Sequence, residues 1–283
     1  MKIGFFGINF GVCGDPVAMI QVAKAAEQAG FESVWTGEHV VLPDPRVAPS
    51  PSEPQTPFLD PVVALSHIAA HTVRLRLGTG VIILPQRNPV VLAKELATLD
   101  VVSGGRLLFG LGAGYLEPEF RALGAPFEQR GAVTDEAIEA IKALWTMEKP
   151  TYQGRFFSFG GIDAQPRPTQ KPHPPIHVGG MSRHGARRAA RYGDGWYGFH
   201  TDPEATKRSV DWILGYIENG ARPSELGDLE ISVTPPIPIS KEVIRQYEDI
   251  GVHRLIPWLN APTLDDTLRY VDELGALLSS DHN

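Results

Sequence analysis

Short β-rich runs alternate with amphipathic helical stretches along the whole chain, and this alternation is its dominant pattern. KIGFFGI, from Lys2, reads as a strand. It leads into a helix opened by Pro16 and running to Ala29, with Val17, Ile20, Ala23 and Ala26 on one face and Gly30 closing it. SVWTG, from Ser33, is the second strand. A Pro-rich loop from Pro43 to Pro57 separates it from a helix through Val62, Leu65 and Ile68. LRLGTGVIIL, from Leu75, predicts the third strand and Val90 to Val102 the third helix. RLLFGLGAG, from Arg106, predicts the fourth strand, and Thr134 to Met147 a long fourth helix. The period pauses between Lys149 and Pro174, where YQGRFFSF and a Pro-rich stretch read as an excursion. It resumes with PIHVGG from Pro175, a helix over Arg183 to Tyr192, and DGWYGF from Asp194. A helix through Trp212 and Ile217, LEISVT from Leu229, and a helix from Lys241 to Ile250 follow. RLIPWL from Arg254 and a helix from Leu264 to Leu278 end the pattern.

Eight strand–helix pairs, each of roughly 35 residues, predict an α/β fold: a single (β/α)8 TIM barrel over residues 1–283, with an insertion after the fourth helix. A doubly wound open sheet shares the alternation and is the rival architecture. No Gly/Ser linker divides the chain, so one domain is the economical reading. The composition, 42% hydrophobic and 21% charged over 283 residues, supports a large core and argues against disorder. A net charge of −7 argues against a nucleic-acid or anionic-membrane surface, although backbone amides can still bind a phosphate locally. Cys13 is the lone cysteine, so no intramolecular disulfide forms, which suits a reducing cytosol. The start MKIGFFGINFG reads as a strand rather than a signal peptide, and no run approaches the roughly 20 apolar residues of a membrane span. A cytoplasmic location is expected.

In such a barrel, ligands sit at the C-terminal ends of the strands, so chemistry-bearing residues just after a strand matter most. GLGAGY, from Gly110 to Tyr115, follows the fourth strand. Its alternate glycines allow either close approach of an anion to free amides or a plain tight turn. Gly179, Gly180, Met181 and Ser182 follow the fifth strand, with Ser182 a helix N-cap whose neighbouring amides form a phosphate seat; a plain turn is the alternative. Arg183, His184 and Arg187 add charge there, while Arg187 and Arg188 read equally as a solvated face. Glu38 and His39 end the second strand. His39 is a candidate proton donor or ring anchor, and Glu38 either orients it, faces a substrate, or forms a salt bridge at the rim. Gly78, Thr79, Gly80 and Val81 sit inside the third strand, where glycine marks a bulge, close ligand approach or tight wall packing. His67 and His71 have i, i+4 metal-ligand spacing but no third ligand, so no metal site is expected. Trp145, Trp212 and Trp258 fit core or interface packing. No Gly-x-Ser-x-Gly elbow is present and Cys13 has no activating partner, which disfavours nucleophilic catalysis. Glu38 with Glu117 or Glu119 is the only set that suggests glycosidase-like paired carboxylates.

Taken in order, WTGEH (Trp35 to His39), LGTGVIILPQRNP (Leu77 to Pro89), GGRLLFGLGAGY (Gly104 to Tyr115), FEQRGAVTDEAIEAIKALW (Phe127 to Trp145) and PRPTQKPHPPIHVGG through RRAARYGDGW (Pro166 to Trp196) resemble the luciferase-like flavin and deazaflavin oxidoreductases. The likeness is greatest to the branch that uses coenzyme F420. The resemblance spans essentially the whole chain. It implies a cofactor in the barrel mouth with its ring near the second and third strands, held by Thr79, Gly80 and Val81, with a cis peptide at Gly80–Val81. It assigns phosphate-binding turns to Gly112, Ala113, Gly114 and Tyr115 and to Gly179, Gly180, Met181 and Ser182, and it puts His39 beside the reactive ring. Some sugar-phosphate dehydrogenases of this group carry an acidic residue where Tyr115 stands, so their substrate is not transferred. The implied activity is hydride transfer between F420 and a small organic substrate. An FMN-dependent monooxygenase and a non-catalytic binding barrel are the alternatives. A homodimer is expected, with the loops Pro43–Pro57 and Tyr152–Pro174 covering the pocket.

Overall fold

The computed structural model describes residues 1–236, 238–258 and 261–279. Among them, parallel strands β1 (Lys2–Phe6), β2 (Ser33–Thr36), β3 (Arg76–Thr79, resuming at Ile82–Ile83), β4 (Leu107–Gly112), β5 (Ile176–Gly179), β6 (Gly195–Phe199), β7 (Glu230–Thr234) and β8 (Arg254–Leu255) pair in sequence order. β8 returns to β1 through Lys2–Arg254 and Ile3–Leu255, so the barrel closes and the open-sheet rival is excluded. Helices α1 (Pro16–Gln28), α2 (Pro61–Ala69), α3 (Pro89–Val102), α4 (Arg130–Thr146), α5 (Arg183–Tyr192), α6 (Pro203–Glu218), α7 (Lys241–Glu248) and α8 (Leu264–Ser279) follow the successive strands. The strand expected over RLIPWL is reduced to β8, and Leu259 lies outside the described residues.

Helix starts are written locally. Asp15, Asp60, Asn88 and Asp202 each precede a proline; the first three side chains each accept two backbone N–H groups of the first turn, and Asp202 accepts that of Ala205. The proline supplies the helical φ and has no amide to leave unpaired, while the carboxylate or amide oxygen satisfies those that follow.

Strand residues alternate between two cores. Phe5, Val34, Leu107, Trp196 and Leu255 face outward under the helices, whereas their neighbours Phe6, Trp35, Leu108, Tyr197 and Ile256 fill the barrel. Trp35 stacks on Tyr197 with centroids 5.4 Å apart. Its indole occupies the space facing Gly78, where a Cβ would lie 2.3 Å from the ring. Tight wall packing, not ligand approach, explains that glycine.

The N-terminal end of the barrel is plugged by Arg254, which is fully buried and spans Glu32 (2.7 and 2.8 Å), Ser232 (2.9 Å) and Glu230. Lys2 adds a 2.8 Å ion pair to Glu230. The expectation that the excursion from Tyr152 to Pro174 covers the pocket is corrected: it lies at this same end. It forms a small hairpin (Tyr152–Gln153 with Ser158–Phe159), and Glu136 of α4 accepts the amides of Arg155, Phe156 and Phe157. Gln170 donates to the Leu107 carbonyl at the start of β4. The physical reason is topological, since a helix-to-strand connection returns to the end opposite the strand C-termini.

Burial raises the Glu230 carboxyl, but the Arg254 charge outweighs it and holds the group down at about 2. A depressed carboxylate stabilises the fold above its unfolded pKa of about 4.3 and loses that contribution as pH falls toward the folded value. The thermal midpoint is therefore expected to fall steeply between about pH 4.5 and 2, and Glu230→Gln should flatten that fall while lowering the midpoint at neutral pH. Thermal scans of both proteins across this range test it; parallel curves would remove Glu230 from the account.

Candidate functional site

The C-terminal ends of the strands enclose a cavity of about 900 Å³, near the top of the range of roughly 300–1,000 Å³ typical of small-molecule sites. Its back wall is built by an irregularity in β3. Gly78 pairs with Leu108 but Ile82 pairs with Leu111, so β3 uses one more residue than β4 between the two pairings. The Gly80–Val81 peptide inside this bulge is cis, as the resemblance implies. Thr79 closes the gap behind it: its hydroxyl donates to the Gly110 carbonyl (2.6 Å) and accepts from the Gly110 amide (2.8 Å). Thr79 is fully buried, so its expected contact with a cofactor is corrected to a role in the wall. Gly80 and Val81 do line the cavity. A Cβ on Gly112 would come within 2.8 Å of the Val81 side chain and one on Gly179 within 3.0 Å, so both glycines make room for Val81.

Gly112, Ala113, Gly114 and Tyr115 border the cavity on one side, and Gly179, Gly180, Met181 and Ser182 on the adjacent side. Gly114 at φ +77° and Gly180 at φ +130° occupy backbone regions that favour glycine. Trp196 pins the second turn by donating to the Gly180 carbonyl at 3.0 Å. Ser182 caps α5, its hydroxyl accepting from the Gly185 amide at 3.2 Å. Two arginines that the sequence reading did not place here complete this side. Arg130 donates to the Gly114 carbonyl (3.2 Å) and lies 4.0 Å over the Phe127 ring. Arg188 is buried, ion-paired to Asp135, and donates to the Gly131 carbonyl (3.0 Å). The solvated-face reading holds for exposed Arg187 and is corrected for Arg188, because α5 turns that side toward α4. The Arg130 guanidinium and the amides at the start of α5 suit an anion on this side, while the Arg188 charge is met by Asp135.

His39 lies at the rim, its Nδ1 3.2 Å from Glu119 Oε2. The other Glu119 oxygen accepts from the Val40 amide at 2.6 Å. Glu119 is buried, which raises its carboxyl, but the His39 hydrogen bond and the Val40 amide outweigh burial and hold it below the usual range. An ionised carboxylate only accepts, so the proton on this side belongs to Nδ1, and Nε2 is left toward the cavity. The Tyr115 hydroxyl stands 3.5 Å from that Nε2, and burial followed by the Glu119 charge raises its pKa, keeping it a neutral phenol. Glu119 therefore takes the orienting role that the sequence offered to Glu38. Glu38 instead accepts from Arg87, which also reaches Asp60 (2.8 Å), and from the Ile83 amide just past the bulge. Burial raises the Glu38 carboxyl against the pull of Arg87. Of the roles the sequence offered Glu38, the geometry shows the rim salt bridge: it ties the end of β2 to the segment after the bulge while still bordering the cavity.

The opposite half of the mouth is aromatic. Phe10 stacks on Phe58 at 4.8 Å, Phe6 meets Phe199 at 4.9 Å, and Trp258 lies 6.1 Å from Phe6, Phe10 and Phe199. Trp258, expected in core or interface packing, does pack against the barrel-interior cluster and in addition borders the cavity. Trp145 is in the core as expected. Pro51 and Ser52 from the first loop border the cavity, as expected of that loop.

His67 near the end of α2 and His71, two residues past it, pack against each other, with His71 Nδ1 2.9 Å from the His67 carbonyl, and neither borders the cavity. Among the described residues no group of three or more His, Cys, Asp or Glu could hold a metal ion, and no helix is long and apolar enough to cross a membrane. Burial pushes the Cys13 thiol up to about 12. Glu117 is exposed and paired with Arg121 at 2.9 Å, away from Glu38.

The architecture is thus a (β/α)8 barrel with a preformed ligand cavity at its C-terminal rim. The chain belongs to the luciferase-like monooxygenase family, whose model matches residues 11–252. It is 33% identical over 271 residues to the uncharacterized protein Rv0953c of Mycobacterium tuberculosis, covering 91% of this chain and 92% of the relative. Over 155 residues it is 34% identical to an FMNH2-dependent dimethylsulfone monooxygenase of Pseudomonas putida, covering 53% of this chain and 42% of that protein. An F420-dependent secondary alcohol dehydrogenase, solved with an F420–acetone adduct, has the same fold, with a TM-score of 0.78 at 17% identity over 98% of this chain and 97% of that one.

Glu119→Ala should destabilise the protein by about 2 kcal/mol, because it leaves the Val40 amide and His39 Nδ1 without their acceptor. Urea unfolding measures this, and a loss below about 0.5 kcal/mol would show that the rim turn does not depend on that carboxylate.

Proposed function

We propose that this protein is an F420-dependent oxidoreductase that moves a hydride between the deazaflavin and a small organic substrate. The observation that carries the reading is His39, a cavity-lining residue with Nδ1 fixed by Glu119 and Nε2 toward Tyr115, in the same cavity as Arg130 and Arg188. A planar cofactor with a phosphorylated tail fits this arrangement: Arg130, Arg188 and the start of α5 suit the phosphate, and the Val81 bulge offers a flat apolar surface for the ring. The bound deazaflavin supplies a hydride equivalent to, or removes one from, a substrate carbon. His39 manages the accompanying proton. In reduction, imidazolium Nε2 donates to the substrate oxygen as the carbon gains the hydride, leaving the neutral ring still bonded to Glu119 through Nδ1. Oxidation reverses both transfers. Because Glu119 holds the ring throughout, no reorientation accompanies proton transfer, and the walls keep both reactants in contact away from water. The F420 dependence of the structural neighbour supports this reading.

The FMNH2 dependence of the Pseudomonas putida relative supports a second reading, an FMN-dependent monooxygenase on the same barrel. Titrating the purified protein separately with F420 and FMN, with cofactor fluorescence as readout, separates the two. Quenching by F420 at low micromolar concentration is expected. FMN binding alone selects the second reading, and no response to either leaves a non-catalytic barrel. Arg130→Ala should weaken cofactor binding about tenfold or more by removing one charge-assisted phosphate contact. His39→Ala should leave that affinity within about threefold while lowering turnover about 100-fold or more. Unchanged turnover in His39→Ala would remove the proton role.

A further inference from the structure

The two halves of the cavity differ in what they can recognise. The cationic half is formed after β4 and β5 by Arg130 and Arg188. The facing half is formed after β1, β6 and β8 and by the loop after β2, and it presents Phe6, Phe10, Phe58, Phe199 and Trp258. No Lys, Arg, Asp or Glu among the described residues lines this half. The nearest lining carboxylate, Glu38, is already engaged by Arg87. Apart from the exposed His200 imidazole, an ionic substrate would meet no counter-charge there as it shed water, which is unfavourable. Aromatic faces and edges in turn favour a ring over an aliphatic chain of equal area, because offset and edge-to-face contacts add to simple burial. His200, beside Phe199, holds a left-handed backbone at φ 51° that non-glycine residues seldom adopt, and its ring reaches toward Trp258 at 6.4 Å.

Polar capacity is concentrated at one point between the halves. His39 Nε2 and the Tyr115 hydroxyl both line the cavity, and their 3.5 Å separation is longer than a well-formed hydrogen bond, so each retains capacity for an oxygen placed between them. We infer that the substrate is a neutral, largely apolar aromatic or conjugated ring compound carrying one carbonyl or hydroxyl group. The ring lies against the Phe58, Phe199 and Trp258 wall, and its oxygen bridges His39 and Tyr115. This inference deepens the redox reading above and rests on it for the role of the compound as substrate.

The test measures binding by calorimetry, on the protein alone and saturated with whichever cofactor it takes. The probes are 2-acetylnaphthalene, 2-ethylnaphthalene, 2-dodecanone and 2-naphthoate. 2-Acetylnaphthalene is expected to bind about tenfold tighter than 2-dodecanone or 2-naphthoate. Phe199→Leu, at an exposed position, and Phe58→Leu should each weaken 2-acetylnaphthalene several-fold and leave 2-dodecanone within twofold, with far-UV circular dichroism reporting that each variant is folded. Tyr115→Phe should narrow the preference for 2-acetylnaphthalene over 2-ethylnaphthalene. Equal or tighter binding of 2-dodecanone or 2-naphthoate overturns the inference, as does cofactor binding with no affinity for 2-acetylnaphthalene. A retained naphthyl-ketone preference in a protein that binds neither F420 nor FMN overturns the redox reading instead and leaves the ligand class standing.

Discussion

The Val81 side chain occupies space left open by two glycines on the neighbouring strands, and the mouth of this barrel is arranged around that contact. Its isopropyl group lies so close to the backbones of β4 and β5 that a methyl on Gly112 or Gly179 would overlap it. Its own strand breaks register there, using one more residue than β4 between the Gly78–Leu108 and Ile82–Leu111 pairings, and the Thr79 hydroxyl bonds both the carbonyl and the amide of Gly110. Three segments that are distant in sequence are therefore linked by one steric requirement. The two glycine-rich turns are set by packing first, and their ability to host an anion follows from where that packing leaves them.

Behind this wall the barrel is held by buried charge and aromatic stacking. The Glu38–Arg87 pair ties the end of β2 to the segment after the bulge, and the Arg254 cluster seals the far end. Removing one partner from such a cluster would leave an uncompensated buried charge, which is why these residues act as fixed points. Trp35 and Tyr197 fill the space between the two ends, so the cavity has a rigid floor. A rigid floor suits a site where two flat molecules are to be held in contact, because it lowers the ordering that binding requires.

The rim divides the remaining work by chemical type. Cations stand after β4 and β5, aromatic rings stand opposite, and the His39–Glu119–Tyr115 group lies between them. Glu119 matters through what it fixes rather than what it touches in the cavity. By accepting from Val40 and His39 together, it couples the backbone of the β2 loop to the orientation of the imidazole.

Much of this was legible in the chain alone. Periodicity determined the strand and helix sequence, since each strand–helix unit buries its own apolar face, and the Asp–Pro and Asn–Pro pairs state where helices start through purely local hydrogen bonds. His39 and the turns at Gly112–Tyr115 and Gly179–Ser182 were locatable because strand ends in a barrel converge on one face. What the chain could not specify was partnership across the mouth. Glu119 is 80 residues from His39, and the sequence offered it only as a carboxylate to pair with Glu38, not as a partner of the imidazole. Arg188 reads as one of a basic run, and Trp258 as one more core aromatic. Thr79, placed inside the third strand and assigned to the cofactor by resemblance, instead bonds Gly110 within the wall. The excursion from Tyr152 to Pro174 reads as a lid, and only the direction in which each connection runs sends it to the opposite end. Local periodicity fixes which face of an element is apolar; which charged or aromatic group meets which is decided by barrel closure, because only closure brings residues so far apart in the chain within a few ångströms.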